Sequence, residues 1–385
     1  MTVNIFIHTG EVSGDLQGGL LVSALRKQAK QRGVDLTVTG VGGQQMTDAG
    51  AEVIANTVRL SAIGLLEALP YYIKGRSLQK QVNQYLLDHP PDLMVLLDYM
   101  GPNIPVGKFI REHLPETPIA YYIAPQQWVF STKRDTQNIL DITDKLLAIF
   151  PDEATYYKQA GANVRWVGHP LVDILAEPPT KAQARSELKI AQDAQIVTLM
   201  PASRKQELRY IMPVMFEAAA YIQAKQPKVR FLIPVSLPDF RDEILEMAET
   251  YELNARLLNK VDGQRAIAAA DLVINKSGTA NLEVALMNVP QVVMYRLSNL
   301  TGIVAKLIVK TEFVSPVNLM ENQPIVPELL QWDATPESVS QVALALLTDE
   351  DKRQKMLAGY AQMRKAMGEV GVCSRAANEI LDMLP

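Results

Sequence analysis

Val3-Asn4-Ile5-Phe6-Ile7-His8, followed by Thr9-Gly10-Glu11-Val12-Ser13-Gly14-Asp15, is an apolar run that stops at a glycine turn and restarts as a helical pattern reaching Arg32. A short apolar run bounded by turn residues fits a strand buried on both faces, and a helix directly behind it opens a strand–helix–strand unit. The alternation continues outward, with strand-like runs at 36–41, 93–97, 119–123, 145–149 and 164–167. Such strands between helices form a parallel sheet covered on both faces, so the first half reads as Rossmann-like. Ala176-Glu177-Pro178-Pro179-Thr180 then interrupts the pattern. A helical pattern at 181–189 and runs at 196–200, 230–234, 255–258, 272–275 and 291–295 restart it. The expected fold is α/β, with two Rossmann-like doubly wound domains, 1–175 and 176–360, facing a cleft. The tail from Asp349 to Leu384 reads as helix throughout. Residues 361–385 are assigned to a C-terminal helix that packs back on the first domain or on a partner subunit.

The 385 residues exceed one core of ordinary size, which agrees with two domains. Hydrophobic residues at 48% and charged residues at 21% exclude a mainly disordered chain. A net charge of −4 supplies no global basic field, so nucleic acid is not the expected main partner. The single cysteine, Cys373, cannot form an intrachain disulfide and fits a reducing compartment. No cationic leader precedes the first strand and no unbroken apolar run reaches the length of a membrane span. The expected location is cytoplasmic, with any membrane contact peripheral.

Loops at the carboxyl ends of parallel strands line ligand crevices, which directs attention to the turns. Glu11, Ser13 and Asp15 lie in the first; Ser13 reads as the helix cap and the acids as facing the crevice, although a plain turn whose acids favour the helix dipole has the same pattern. Asp98 ends the very apolar strand Leu93–Leu97, where partial desolvation would raise its pKa and suit it to take a proton from a hydroxyl, or where it caps the following turn. Tyr122, Gln126, Gln127 and Trp128 follow the next strand and fit either sugar stacking or core packing. His169, in Gly168-His169-Pro170, either touches a ligand or makes a structural hydrogen bond.

In the second half, Met200-Pro201-Ala202-Ser203-Arg204 follows a strand and reads as opening a long helix, with Ser203 as cap and Arg204 facing a phosphate. Asn275-Lys276-Ser277-Gly278-Thr279-Ala280 repeats the arrangement, with Glu283 one turn into the helix and placed for ribose hydroxyls. Small residues let phosphate oxygens approach backbone N–H groups at a helix start, so the two turns read as a diphosphate cradle; plain Ser and Thr capping is the alternative. The scattered His8, His89, His113 and His169 offer no metal-ligand spacing, and no dinucleotide fingerprint, P-loop or GxSxG is present. No cofactor or metal is expected. Two apolar stretches, 60–74 beside Arg76 and Lys80, and 300–310 beside Lys306 and Lys310, fit either core helices or an interfacial lipid contact.

Taken together, these residues resemble the lipid-A-disaccharide synthase family, inverting glycosyltransferases of the two-Rossmann GT-B architecture. The likeness runs nearly end to end through Gly10–Asp15, Gly168-His169-Pro170, Ser203-Arg204, Ser277–Ala280 with Glu283, Tyr295-Arg296, Phe313–Asn318 and Pro327–Gln331. It implies transfer of 2,3-diacylglucosamine from UDP to 2,3-diacylglucosamine 1-phosphate, forming the β(1→6) disaccharide and UDP, at the inner face of the cell membrane. It implies a catalytic base at Asp98. Donor contacts fall to Ser203, Arg204, Ser277, Gly278, Thr279, Glu283, Arg296 and Asn318, and acceptor contacts to Glu11, Ser13, Asp15, Asn103, Gln126, Trp128 and His169. A homodimer is permitted by the helical tail. Three departures stand out: Asp98-Tyr99-Met100-Gly101-Pro102-Asn103 lacks the family's second Asp, Pro201-Ala202-Ser203-Arg204 replaces Pro-Gly-Ser-Arg, and Trp128-Val129-Phe130 replaces Trp-Ala-Trp. A GT-B relative with another UDP-sugar or lipid acceptor, an inactive UDP-sugar-binding protein and a UDP-sugar epimerase are the competing readings.

Overall fold

The computed structural model describes residues 2–10, 12–56, 69–98, 100–125, 133–298, 301–303 and 312–384. They fall into two compact units, Met1–Asp173 with Met367–Pro385, and Ile174–Ala366. Among the described residues no helix is long and apolar enough to cross a membrane.

The first unit carries strands β1 (Thr2–His8), β2 (Asp35–Gly42), β3 (Glu52–Asn56), β4 (Leu93–Leu97), β5 (Ile119–Tyr122), β6 (Lys145–Ala148) and β7 (Val164–Trp166). They pair in parallel in the order β3-β2-β1-β4-β5-β6-β7. Ile5 to Ile7 and all of β4 are fully buried, which is why these segments are unbroken apolar runs. The chain winds from β1 out to β3, then returns to β4 on the other side of β1. That reversal is the topological switch point, where open parallel sheets bind ligands beyond the strand ends.

The tail is two helices, Glu350–Met367 and Val372–Leu381, rather than one. Gly368 and Gly371 between them hold φ of 84° and 98°, a left-handed backbone that ends the first helix. Only the second belongs to the first unit, where it packs on helix Val12–Arg32. It buries Val372, Ala376, Ala377 and Ile380. The Asp173 carboxylate accepts from the amides of Gly371, Val372 and Cys373, closing the N-terminus of that helix.

The second unit carries β8 (Ile196–Met200), β9 (Arg230–Pro234), β10 (Ala255–Leu258), β11 (Leu272–Lys276), β12 (Gln291–Tyr295) and β13 (Glu328–Leu330). The order is β10-β9-β8-β11-β12-β13, again all parallel. Its switch point lies between β8 and β11, so the turns after Met200 and Lys276 stand side by side.

Candidate active site

In the first unit Asp98 directly follows β4 at the switch point and takes φ of 60°. A left-handed backbone at a non-glycine residue is uncommon and must be held by its surroundings. The Asp98 carbonyl accepts from the Tyr121 hydroxyl at 2.9 Å and from Asn103 Nδ2 at 3.4 Å, while its amide donates to Tyr122 O at 3.2 Å. Asn103 is fully buried and also donates to Leu97 O at 3.0 Å. Its Oδ1 lies 2.7 Å from His8 Nδ1. Burial lowers the His8 pKa against the opposing effect of that bond, so the neutral ring donates through Nδ1–H. These bonds fix the strand tip, and Asp98 as a residue remains partly exposed.

Several expected acceptor residues have other work. Asp15 is buried, and its carboxylate accepts from the amides of Gly43, Gln45 and Met46 at 2.8 to 3.1 Å, closing the start of helix Gln44–Asp48. Those three donors, at the positive end of a helix, hold the carboxylate in place. The Asn103 amide is likewise engaged, beneath the Asp98 turn. His169 is buried against Phe150, and its Nδ1 accepts from the Leu171 amide at 3.2 Å. Desolvation lowers its pKa to about 3, so the ring is neutral. The first helix begins at Val12, which puts Ser13 inside its first turn rather than at the cap. Glu11, Gln126, Gln127 and Trp128 lie outside the described residues, as do the Ser13 side chain and most of both apolar stretches.

In the second unit the turn after β8 differs from the bare amide cradle the sequence suggests. Glu207, itself buried, returns its Oε2 to the amides of Ser203 and Arg204 at 2.6 and 3.1 Å and to Ser203 Oγ at 3.3 Å. Those donors are occupied, and Arg204, not Ser203, precedes the helix. The long helix is also two pieces, Lys205–Tyr210 and Met212–Lys225, because Pro213 restarts it. What this turn offers outward is the half-exposed Arg204 guanidinium, 3.9 Å from Glu207 Oε1.

The turn after β11 is the more open one. Gly278 takes φ of 147° and ψ of −171°, a region that only glycine occupies without strain, directly before helix Thr279–Leu286. Asn281 fixes the turn by accepting from the Gly278 amide at 3.1 Å and donating to Lys276 O at 2.8 Å. Beneath it, Gln291 Nε2 donates to Asn281 O at 3.0 Å and to the Tyr360 hydroxyl at 3.1 Å. Such a buried network makes a turn rigid. Ser277 Oγ donates to Val314 O at 2.9 Å, and Val314 and Ser315 in turn donate to Glu328. Asn318 is buried, with its amide engaged by Val326 and Glu328, so it shapes this support. Thr279 is exposed, and Arg296 is half-buried with Nη1 3.4 Å from Ala334 O. Desolvation raises the Glu283 pKa, leaving a carboxyl that gains from meeting hydroxyl donors.

Glu207, Lys276, Asn281, Gln291 and Glu328 are the residues this site uses that sequence reasoning did not single out. Glu207 stands three residues after Arg204 as in a capping box, and Lys276 and Glu328 lie within stretches the sequence marks without a role of their own.

A family model described as lipid-A-disaccharide synthetase matches residues 5–381. Lipid-A-disaccharide synthase from Gloeothece citriformis is 50% identical over 385 residues, covering 99% of this chain and 100% of that protein. The Synechocystis enzyme of the same name is 48% identical over 99% of this chain and 98% of its own length, and that of Myxococcus xanthus 34% over 99% and 97%. Among solved structures, UDP-GlcNAc 2-epimerase from Neisseria meningitidis bound to UDP-GlcNAc has a TM-score of 0.66 at 11% identity, over 100% of this chain and 99% of that one. The glycotransferase of kitacinnamycin has a TM-score of 0.60 at 13% identity, over 99% of each chain. At such identities these two neighbours establish the two-sheet fold alone.

Proposed function

The chain belongs to the lipid-A-disaccharide synthase family, and from that premise we propose that it moves 2,3-diacylglucosamine from UDP to 2,3-diacylglucosamine 1-phosphate, giving the β(1→6) disaccharide 1-phosphate and UDP. The observation that carries the reading is the 50% identity to a synthase along its whole length. The two switch points, each presenting charged residues beyond the ends of its strands, fit it.

In this reading the acceptor is held by the first unit and the donor by the second. Asp98 accepts the proton of the acceptor 6-hydroxyl as that oxygen attacks the anomeric carbon, inverting it through an oxocarbenium-like state. The backbone under Asp98, pinned by Tyr121 and Asn103, supports this role by fixing the base before the substrate arrives. UDP leaves toward the Gly278–Thr279 helix start, where amide dipoles and Arg204 meet the charge that develops on the diphosphate. Glu283 takes the ribose hydroxyls, and Arg296 adds positive charge at the same sheet edge. The apolar stretches at 60–74 and 300–310, with their neighbouring lysines, support peripheral contact with the inner face of the cell membrane, where the acylated substrates reside. Pairing into a homodimer belongs to the same proposal.

Mass spectrometry of the products from UDP-2,3-diacylglucosamine and its 1-phosphate acceptor tests the reading. A disaccharide 1-phosphate with equimolar UDP is the expected result. An isomerised UDP-sugar formed without acceptor would assign the fold to epimerisation instead, and tight UDP binding without any product would leave a binding protein.

A further inference from the structure

Lys276 ends β11 at the switch point of the second unit, and its ammonium lies 3.1 Å from Glu207 Oε1. Its side chain is 13% exposed, against 43% for Arg204 on the neighbouring turn. Glu207 thus joins both turns: one oxygen takes the amides of the turn after β8, and the other takes the cation at the tip of β11. The same ammonium lies 3.9 Å from the place a Cβ would occupy at Gly278, and among the described residues beyond the adjoining backbone no other atom comes within 4 Å of that place. Gly278 leaves an open space above the helix start, and Lys276 stands beside it.

We propose that Lys276 is a further catalytic residue, a cation that contacts the diphosphate of the nucleotide donor, and that Glu207 is its positioning residue. The inference rests on the transferase reading above. As the acceptor oxygen bonds to the anomeric carbon, the bond from that carbon to the β-phosphate oxygen breaks, its electron pair leaves with UDP, and the hydroxyl proton passes to Asp98. The leaving diphosphate therefore gains one negative charge. A lysine at the open glycine turn meets that charge as a compact ammonium, and holding it in place beforehand avoids reorganisation during the reaction. Glu207 does not neutralise the lysine entirely, because its carboxylate charge is shared with two backbone amides and the Ser203 hydroxyl. A purely structural ion pair would leave unexplained why the turn beside it is held open by a backbone that only glycine tolerates.

Binding of UDP and of uridine to the full-length protein separates a phosphate contact from a structural effect. Lys276→Met should weaken UDP binding roughly ten-fold, about 1.4 kcal/mol, and leave uridine binding unchanged. It should lower kcat/KM for the UDP-sugar by a larger factor with the acceptor KM unaltered, and Lys276→Arg should recover most of both. Glu207→Gln, which keeps an oxygen for the Ser203 and Arg204 amides, should show a weaker version of the same UDP-selective loss. Equal UDP affinity in wild type and Lys276→Met, or equal losses for UDP and uridine, would overturn the assignment. Disaccharide formation by the wild type is scored separately: if it fails, the transferase reading falls, whereas a normal product from Lys276→Met at wild-type rate removes Lys276 alone.

Discussion

Asp98 occupies a left-handed backbone at the end of an all-buried strand, and its carbonyl and amide are tied to Tyr121, Asn103 and Tyr122. A general base contributes about 10²–10⁴ to rate, so Asp98→Asn should reduce kcat by that order while UDP affinity stays within two- to three-fold of wild type, as read by steady-state kinetics and calorimetry. Asn also tolerates the left-handed region, which keeps the backbone of the variant intact. Near-normal turnover would move the base elsewhere. At this scale the sequence was legible in position but not in direction. Asp98 and Gly278 stand at strand tips, as their neighbours imply. Asp15 and Asn103 follow strand tips too, and there a polar side chain that faces a ligand and one that steadies the next turn leave the same trace. Asp15 finds its partners 28 to 31 positions away, a pairing that only the folded chain brings about.

The elements themselves were easier to read, because a parallel strand buried on both faces leaves a continuous apolar word such as Leu93–Leu97. Their ends were harder. The sequence suggests one helix after Arg204 and one along the tail, and in both places local backbone chemistry cuts it in two, Pro213 in the first case and the positive-φ glycines 368 and 371 in the second. The short helix Gln44–Asp48 shows how a distant carboxylate sustains an element with few residues of its own. Asp15→Ala would strip three amides of their acceptor, and a loss of about 1–3 kcal/mol in urea-induced unfolding is expected. An unchanged midpoint would mean that water replaces the carboxylate at no cost.

At the scale of the molecule, the first unit is assembled from both ends of the chain. Besides the Asp173 contacts, the last helix is tied by Lys145 to Glu379 at 2.6 Å and Arg32 to Asp382 at 2.7 Å. The Arg32 pair lies at the surface and contributes little, the Lys145 pair is mostly buried and offsets its own desolvation, and the buried apolar face carries most of the attachment. Deleting residues 367–385 should therefore accelerate amide hydrogen exchange across β1 to β7 while β8 to β13 keep their protection. Equal acceleration in both sheets would contradict a division into separately cored units. Stability should also vary with pH through Glu153, which is fully enclosed and whose pKa is raised by desolvation to about 8 despite bonds from the Ile149 and Phe150 amides. A carboxyl with a raised folded pKa stabilises fully below its unfolded value of about 4.3, and that contribution is lost as pH climbs through the folded value. Glu153→Gln should flatten the fall in stability between about pH 5 and 8, a difference of up to a few kcal/mol measurable by urea titration at each pH.

The chain leaves the first unit at Asp173 and re-enters it at Met367. For a protein made one residue at a time, that order inverts the usual sequence of maturation. The middle of the nascent chain can close its own sheet as soon as it clears the ribosome, whereas the residues made first must wait for Val372–Leu381 to arrive before Asp173 and the long opening helix find their cover. At synthesis rates of about 5–20 residues per second the delay is on the order of ten seconds or more, an interval in which a half-finished surface is open to chaperones.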